Sequence, residues 1–333
     1  MIPAFYTPRP QWPTAIERIV ELLGRVTAFE EASGRQVALR RANQIASVHS
    51  SAAIEGNPLT LGQVEDIANG EPVHAAPRAV REIENALAAY EALGTFDPWS
   101  VEDFLRAHSL LTAGLVAESG AFRTVDVDIV NADGDVLHTG SRAEKVPRLV
   151  AELLEWGSTS TDHPLVVSSA VHFLIEHIHP FRDGNGRVGR LWQTLILSRW
   201  RDLFDGSPFE NLIRRHQVGY YAALQASREP VIDAAPFIDF MLDVITESLV
   251  SYEERAKSTA IGGITGGRRG GIKDRLLDTL RDDPTLAAPA LAEALGVSVR
   301  TVERRIAALK AAGRLRRQGS KKSGQWVVVE EHQ

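Results

Sequence analysis

The twelve residues HPFRDGNGRVGR, from His179 to Arg190, constrain this chain most, because they join two helical patterns through a loop rich in charge and glycine. Apolar residues recur at helical spacing over 164–178 and again over 186–200, so the loop lies between the end of one helix and the start of the next. Free N–H groups and a partial positive charge at a helix N-terminus form a natural cradle for phosphate. We therefore expect a helical protein that binds an anion at this junction.

The start of the second helix carries the residues suited to phosphate. Gly184 and Gly186 let the backbone approach a ligand closely, and Asn185 can add a side-chain donor. Arg187 and Arg190 lie three residues apart, hence on one helix face, and each can bind phosphate oxygens through two N–H groups.

Two further residues of the loop are suited to binding a metal ion and to accepting a proton. The carboxylate of Asp183 would repel a triphosphate unless a cation stood between them, and a hard, oxygen-binding ion such as Mg²⁺ fits that role. His179 stands at the entrance of the loop and can exchange a proton near neutral pH. The inventory predicts a site for a nucleoside triphosphate, Mg²⁺ and one proton acceptor.

Other histidines crowd near the loop in a way that resembles a zinc site. His172, Glu176, His177 and His179 lie close in sequence, but their order matches neither HExxH nor HxxEH. We expect His172 and His177 to be hydrogen-bonded core or surface histidines.

Helical periodicity dominates the rest of the chain up to about residue 257. Gly34 and Gly56 stand where glycines end helices, and Thr60 with Gln63 forms a capping box for the next helix. Further helices are predicted over 14–33, 36–55, 79–93, 101–113 and 145–156.

One region departs from the helical pattern. Apolar and polar residues alternate from Val125 to Val136, and Asp133-Gly134 is typical of a hairpin turn. We expect a short β-hairpin here.

Composition excludes several classes of protein. The chain has no cysteine, which excludes disulfides, thiolate metal sites and cysteine nucleophiles. It has no apolar run long enough to span a bilayer, and MIPAFYTPRPQWP does not have the pattern of a signal peptide. We expect a cytoplasmic protein that does not bind a membrane.

A glycine-rich segment divides the chain. STAIGGITGGRRGG, residues 258–271, holds six glycines in fourteen residues, and the backbone entropy of so many glycines opposes packing, so we interpret it as a flexible linker. Residues 268–333 hold 14 Lys and Arg against 8 Asp and Glu, which suits an anionic partner.

Residues 272–333 have the order of a winged helix-turn-helix. Leu291 to Gly296 is typical of a helix and a turn, a second helix ends at Gly313, and LRRQGSKKSGQWVVV predicts two strands joined by a basic turn. The buried face of the second helix is predicted to hold Val299, Val302, Ile306 and Leu309. Duplex DNA is the expected partner, and the residues expected to bind it are Arg300, Thr301, Arg304, Arg316, Arg317, Lys321 and Lys322. A winged helix that contacts protein is the alternative.

The loop resembles, position for position, the HxFx(D/E)GNGRxxR signature of Fic-domain proteins. The likeness covers roughly residues 1–257 and includes SSAAIEG (50–56), REIENALAAY (81–90), GAFR (120–123) and VGYYAAL (218–224). It implies a mainly α fold, a Fic-type helical bundle with a small β-hairpin flap, followed in this chain by the winged helix-turn-helix. The domains expected are an N-terminal helical region with an inhibitory helix (1–95), a catalytic core (96–257), the linker (258–271) and the winged helix (272–333).

The resemblance implies transfer of AMP from ATP to a hydroxyl side chain of a target protein, with loss of pyrophosphate. In that reaction His179 is the general base, Asp183 holds Mg²⁺, and the phosphates are bound by Gly184, Asn185, Gly186, Arg187 and Arg190. The hairpin at 125–137 is similar to the family's flap, which binds a target segment as an added strand. Self-modification is a further expectation.

An inhibitory helix is implied by a second motif. Ser51 and Glu55 lie four residues apart on one helix face, and SAAIEG matches the family's pattern (S/T)xxxE(G/N). The family implies that Glu55 pairs with Arg190 and blocks the productive position of the ATP γ-phosphate. A solvated glutamate at a helix end is the alternative.

Three other functions stay open. The first is a DNA-binding regulator whose Fic core senses nucleotide. The second is an enzyme that also removes AMP with the help of Glu55, and the third is a related enzyme that transfers a phosphoryl group. Intact His179 argues against a mere sensor, and Gly186 departs from the lysine-containing loop of Fic-like kinase toxins.

Overall fold

The computed structural model describes residues 5–33, 36–130, 136–206 and 209–264, together with most of 276–318 and residues 325–329. The chain divides into two compact units, Met1–Ala256 and Lys257–Gln333, which are described separately. As predicted, the fold is mainly α-helical.

Each helix predicted over residues 14–200 is present, with bounds within three residues of those expected. The helices up to residue 264 are α1 (Trp12–Ser33), α2 (Gln36–Ile54), α3 (Leu61–Ala68), α4 (Pro77–Glu91), α5 (Val101–Thr112), α6 (Val146–Thr159), α7 (Pro164–Ile178), α8 (Asn185–Trp200), α9 (Phe209–Arg215), α10 (Gln217–Ala226) and α11 (Ala235–Ile264).

Helices α7 and α8 form the centre of the first unit. Nearly every side chain of α7 is buried, which its apolar residues allow because they cover all sides of the helix. On α8, the buried Trp192 packs edge-on against Phe104 of α5 with 5.0 Å between ring centroids, and its indole N–H donates to the carbonyl of Pro98 at 3.0 Å. The loop between α7 and α8 therefore starts and ends on fixed elements.

The predicted end signals of α2 and α3 are confirmed where the structure describes them. Gly56 follows α2 in the left-handed conformation, with φ of 88°. Thr60 and Gln63 form the capping box: the Gln63 N–H donates to Thr60 Oγ1 at 3.3 Å, and the Thr60 N–H donates to Gln63 Oε1 at 2.9 Å. Gly34 lies outside the described residues.

The predicted hairpin is present but shorter than expected. Strand β1 (Asp128–Val130) pairs antiparallel with β2 (Val136–Thr139), and the register shifts between Ile129 and Val130. The predicted turn, Asp133-Gly134, lies outside the described residues.

The predicted start of the linker, at residue 258, is wrong. Helix α11 runs to Ile264, so residues 258–264 are helical. The physical reason is that four of the six glycines of this segment follow Ile264, and only Gly262 and Gly263 weaken the helix. Residues 265–271 lie outside the described part of the chain.

The second unit has the order of a winged helix-turn-helix: α12 (Ala288–Leu295), α13 (Val299–Ala311), β3 (Leu315–Gln318) and β4 (Gln325–Val328), the two strands antiparallel. Val302, Ile306 and Leu309 are buried as predicted, whereas the prediction for Val299 is wrong. Val299 is the first residue of α13 and is 39% exposed, because it precedes the turns that pack on the core. Gly313, with φ of 70°, ends α13 as expected.

Within the described residues, no helix is both long and apolar enough to cross a membrane.

Gly157→Ala is expected to destabilise the first unit, because the added Cβ would overlap the Trp99 ring against which α6 packs. We expect a loss of about 1–3 kcal/mol in the free energy of unfolding. Gly24→Ala is the matched control: Gly24 is also within a helix, but its Cβ would meet open space, so a gain of up to about 1 kcal/mol is expected. Thermal unfolding followed by circular dichroism measures both, and equal midpoints for the two variants would contradict the packing argument.

Candidate functional site

The backbone of His179 ends α7 in an unusual conformation. With φ of 54° and ψ of 61°, His179 lies in the left-handed region, and its N–H still donates to the carbonyl of Ile175 at 2.9 Å. A non-glycine residue held there costs on the order of 1–3 kcal/mol, so the surrounding structure must impose the conformation. The carbonyl of His179 accepts from Arg123 Nε at 2.7 Å. The side chain of His179 is partly exposed at the mouth of the loop.

The loop is fastened from inside by Asn185. Its amide oxygen accepts from the Phe181 N–H at 2.9 Å, and its amide nitrogen donates to the Phe181 carbonyl at 2.8 Å. Asn185 is 2% exposed. Both ends of the amide therefore help to close the loop, and the predicted role of Asn185 in binding the nucleotide stays a prediction.

His108 supports the loop from below and was missed by the sequence analysis. Its ring stacks on Phe181 with 3.6 Å between centroids, Nδ1 accepts from the Gly120 N–H at 3.0 Å, and Nε2 lies 2.9 Å from the Asp183 carbonyl. Because Nδ1 is an acceptor, the proton of the neutral ring is on Nε2 and is donated to Asp183. Burial lowers the pKa of His108, which favours this neutral form.

Gly184 is required at the start of α8 for two reasons. It is the N-cap residue with φ of 88°, and a Cβ there would lie 3.0 Å from Thr112 Cγ2 and 3.4 Å from His108 Nε2. The N–H groups that follow it are those of the first turn of α8, which we call the cradle because free N–H groups at a helix start suit an anion.

At the cradle, the half-exposed Asp183 forms an ion pair with the buried Arg187. Arg187 Nη2 lies 3.0 Å from Asp183 Oδ1, and Arg78 lies 3.7 Å from the other oxygen. The Asp183 side chain is 46% exposed, so one hard oxygen donor is accessible from solvent. Within the described residues, no group of three His, Cys, Asp or Glu could hold a metal ion. An accessible carboxylate oxygen is a ligand that Mg²⁺ accepts, since Mg²⁺ is usually bound by one or two carboxylates with other oxygens completing its shell.

Arg187 has a second carboxylate partner that was not predicted. Glu82 of α4 lies 2.7 Å from Arg187 Nη1, and its other oxygen accepts from Asn57 Nδ2 at 2.7 Å. Asn57 is the second residue after Glu55 and is 8% exposed. Glu82 lies in REIENALAAY, a segment that pointed to the family but whose spacing gave no partner for it.

Arg190 meets the two residues predicted to inhibit it. Its side chain is buried; Nη2 lies 2.6 Å from Glu55 Oε1, Nε donates to Ser51 Oγ at 2.9 Å, and Nη2 donates to the Ser51 carbonyl at 3.1 Å. Burial alone would lower the pKa of Arg190, but the Glu55 carboxylate outweighs it and the pKa is raised. A Cβ at Gly186 would overlap Glu55 Oε1, so this glycine leaves the room that Glu55 fills.

Helix α2, which carries Ser51 and ends one residue before Glu55, is anchored by a buried glutamate. Glu210 of α9 accepts from Ser47 Oγ of α2 at 2.8 Å, from Tyr90 at 3.0 Å and from Thr194 of α8 at 2.9 Å. Ser50 adds a hydrogen bond to Asn211. Burial raises the pKa of Glu210. These bonds fix α2 on the helices around Arg190.

Two members of the cluster considered for zinc, His172 and Glu176, belong to a buried hydrogen-bond network. His172 Nδ1 lies 2.7 Å from Gln193 Oε1, and Nε2 lies 3.2 Å from the Tyr220 hydroxyl, which also lies 3.3 Å from Glu176. The prediction of a hydrogen-bonded core histidine is confirmed for His172. Burial lowers the pKa of His172 to about 3.

In the second unit the basic residues predicted to bind DNA fall into three groups. Arg300 and Arg304 are exposed on α13, Thr301 is half-buried between them, and Arg316 is exposed on β3. Arg317 lies over the Trp326 ring at 5.0 Å, which fixes its stem on the wing. The two remaining residues, Lys321 and Lys322, lie outside the described residues.

Comparison with known proteins agrees with this geometry. The model of the Fic/DOC family matches residues 98–197, and a model described as an HTH domain matches residues 273–324. The structure superposes on the crystal structure of a Fic family protein from Desulfovibrio desulfuricans G20 with a TM-score of 0.71 and 33% identity, covering 98% of each chain.

Two curated relatives match over part of their length. The chain is 27% identical over 233 residues to protein adenylyltransferase fic-1 of Caenorhabditis elegans and 28% identical over 242 residues to protein adenylyltransferase Fic of Drosophila melanogaster. These alignments cover 66% and 68% of this chain but 43% and 46% of the relatives, so the chain spans less than half of their length.

The buried His172 is expected to make the stability of the protein depend on pH. Between its folded pKa of about 3 and an ordinary value of 6.5, the unfolded chain binds a proton that the folded chain does not. The free energy of unfolding therefore falls as the pH falls from 6.5. Over the interval from pH 7 to pH 5 this single group contributes a loss of about 2 kcal/mol.

His172→Asn should remove that contribution, so urea unfolding at pH 7 and pH 5 should show a smaller loss in the variant than in the parent. His74→Asn, at an exposed position, controls for the loss of one histidine. The same loss in the parent and in His172→Asn would contradict the expectation.

Proposed function

Because this chain belongs to the Fic family, we propose that its helical unit transfers AMP from ATP to a hydroxyl side chain of a target protein and releases pyrophosphate. The observation that carries the proposal is the junction of α7 and α8, where a histidine, a half-exposed carboxylate and the N–H groups of a helix start lie within one loop. The names of the curated relatives, protein adenylyltransferases, support the same reaction class.

His179 is the proposed general base. It accepts the proton of the target hydroxyl while the hydroxyl oxygen forms a bond to the α-phosphorus of ATP. The bond from that phosphorus to the oxygen bridging to the β-phosphorus breaks, and its electron pair leaves with pyrophosphate. The proton passes from His179 to solvent. General-base assistance of this kind contributes about 10²–10⁴-fold in rate.

The phosphates are proposed to lie against the first turn of α8. The backbone N–H groups after Gly184 donate to phosphate oxygens, and Arg187 and Arg190 bind them from one side of the helix. Mg²⁺ bound at Asp183, with phosphate oxygens completing its shell, would neutralise charge on the phosphates. Since ATP is the substrate, a cytoplasmic location is part of the proposal.

The pair of Glu55 and Arg190 is proposed to be auto-inhibitory. The buried guanidinium of Arg190 makes a 2.6 Å contact with Glu55, and the same N–H groups cannot serve a γ-phosphate at the same time. If the paired state is favoured 99:1, the apparent affinity for ATP in the productive position falls roughly 100-fold.

The hairpin formed by β1 and β2 is proposed to bind the target. It is a two-stranded sheet within the described residues, so the outer edge of a strand is available for a target segment to add as a further strand. Backbone hydrogen bonds would fix the register of the target, whose identity depends on the rest of its surface.

For the second unit we propose binding of duplex DNA. The match to an HTH domain, the exposed Arg300 and Arg304 on α13 and the exposed Arg316 on the adjacent wing support it. Together the two units would join a target-modifying enzyme to a DNA-binding module.

Removing the Glu55 carboxylate is expected to raise AMP transfer. Glu55→Gly frees Arg190 for the γ-phosphate, so incorporation of label from α-labelled ATP, into a lysate and into the chain itself, should rise roughly 10- to 100-fold above the native chain. Glu55→Gln keeps the size of the side chain and removes its charge, so it should give an intermediate rise. Adding His179→Ala to Glu55→Gly should abolish the gain while calorimetry still detects ATP binding.

The position of the label separates the alternatives. Label from γ-labelled ATP would indicate phosphoryl transfer instead, and ATP binding without incorporation from either position would favour the nucleotide-sensing regulator. Equal incorporation by the native chain and Glu55→Gly would remove the inhibitory role of Glu55. Loss of label from a modified target on incubation with native chain, but not with Glu55→Gly, would show that Glu55 also supports removal of AMP.

DNA binding is expected to depend steeply on salt. In gel-shift titrations of the full chain on duplex DNA, Arg300→Ala with Arg304→Ala should weaken binding and reduce the slope of log affinity against log salt by about two. Arg148→Ala is the matched control, because Arg148 is an exposed arginine of α6, 70% exposed, in the helical unit. Absence of retardation at low salt would instead favour a winged helix that contacts protein.

A further inference from the structure

The guanidinium of Arg123 is buried beside the catalytic loop, and the proposed mechanism does not use it. Arg123 is 2% exposed, and Asp126, the carboxylate 3.9 Å from it, has a side chain that is 67% exposed. A buried cation needs compensation from its surroundings. Here the compensation comes mostly from backbone carbonyl oxygens.

These carbonyls belong to two different parts of the site. On the side of α7, Arg123 Nε donates to the His179 carbonyl at 2.7 Å and Nη2 donates to the Ile178 carbonyl at 3.3 Å. On the side of the hairpin, Nη1 donates to the Val125 carbonyl at 2.8 Å, and Nη2 also donates to the Ser141 carbonyl. One planar guanidinium therefore joins the residues before β1 and after β2 to the last residues of α7.

The placement suits a cation. The carbonyls at the C-terminal end of α7 carry partial negative charge, and hydrogen bonds from a charged donor are stronger than those from a neutral one. The backbone of Arg123 adds a bond from its N–H to the Pro180 carbonyl at 3.0 Å, and the Ser141 N–H donates to the Ile178 carbonyl at 3.2 Å. The two segments thus face each other across a continuous set of hydrogen bonds.

Gly140 shows how closely the hairpin approaches the histidine. It is buried at the end of β2, and its N–H donates to the Val127 carbonyl at 3.0 Å. A Cβ at Gly140 would lie 3.0 Å from Arg123 Nη2 and 3.3 Å from His179 Cβ. A methyl group here would press on both, so the absence of a side chain at Gly140 lets the hairpin base lie close to Arg123 and His179.

We propose that Arg123 is a positioning residue that holds the left-handed backbone of His179 and the base of the hairpin in one fixed arrangement, so that the general base and the target strand keep a constant offset. The role in catalysis rests on the proposed function, in which His179 takes a proton from a hydroxyl held along the hairpin. The structural coupling between the two segments stands on the contacts alone.

Amide hydrogen exchange of the full chain tests the coupling without reference to activity. Arg123→Lys keeps the charge but replaces the planar fork by a single ammonium group. We expect exchange of the amides of Gly140, Ser141 and His179 to become about tenfold faster together, while the interior of α8 is unchanged. Arg106→Lys is the matched control: Arg106 also donates to a backbone carbonyl, that of Thr95 at 2.9 Å, but lies outside this set of contacts.

The kinetic arm uses Glu55→Gly as the parent, so that inhibition does not mask the effect. Arg123→Lys should lower kcat for AMP transfer about 100-fold, because a small displacement of a catalytic group has an effect of that size. KM for ATP should stay within about threefold, since the phosphate cradle is on α8. Gly140→Ala, which keeps Arg123, should also lower kcat while leaving KM for ATP nearly unchanged. This variant provides the test if Arg123→Lys does not fold.

The outcomes separate the two hypotheses. Exchange that stays unchanged in Arg123→Lys, or that rises throughout the helical unit together with KM, would overturn the positioning role and leave Arg123 as an ordinary core residue. A parent that transfers no AMP would contradict the proposed function, whereas concerted exchange at the hairpin base and His179 would still support the coupling.

Discussion

The compensation of one buried cation, Arg190, organises the centre of this protein. A guanidinium removed from water needs an anion and acceptors for its N–H groups, and leaving it unpaired costs several kcal/mol, of the order of 3–5. Ser51 of α2 and Glu55, the residue after α2, meet that need, which accounts for the position of α2 against α8 and for the lack of a side chain at Gly186. A phosphate group could also compensate this charge, so the same Arg190 side chain would stabilise the fold and bind the ligand.

A second buried arginine, Arg187, is also compensated by carboxylates, but it has two of them rather than one. Arg187 has two carboxylate partners, Asp183 in the loop and Glu82 on α4. If Asp183 turns to a metal ion, Glu82 still compensates Arg187, so metal binding need not leave a buried charge unpaired. Asn57 joins Glu82 to the residues that follow α2, and the two arginine sites are therefore linked through the segment after Glu55.

Local rules account for what the sequence analysis predicted correctly, and long-range contacts account for what it missed. Some features depend only on residues within one or two turns and could be predicted directly from the sequence. These are the periodicity of α7 and α8, the capping box at Thr60 and the glycine after α2. The bonds from the Asn185 amide to Phe181, four residues away, are an exception: they are local, but the spacing of the residues gives no sign of them. Glu82, His108 and Arg123 act on residues 56 to 105 positions away, for which one sequence contains no pairing signal. The motif at Ser51 and Glu55 was found only through its resemblance to a family pattern.

The way in which α2 is held has a consequence for how the proposed inhibition would respond to ATP. Ser47 and Ser50 bind α9 along one face of α2, so the helix is fixed in its last turns while the Glu55 side chain at its end is 35% exposed. Exchange of carboxylate for phosphate at Arg190 would then require rotation of the Glu55 side chain but no movement of the helix. Glu55 would return to Arg190 each time a nucleotide leaves. The proposed inhibition would therefore act as an equilibrium competitor of ATP, set by the ATP concentration, and would keep no memory of earlier activation.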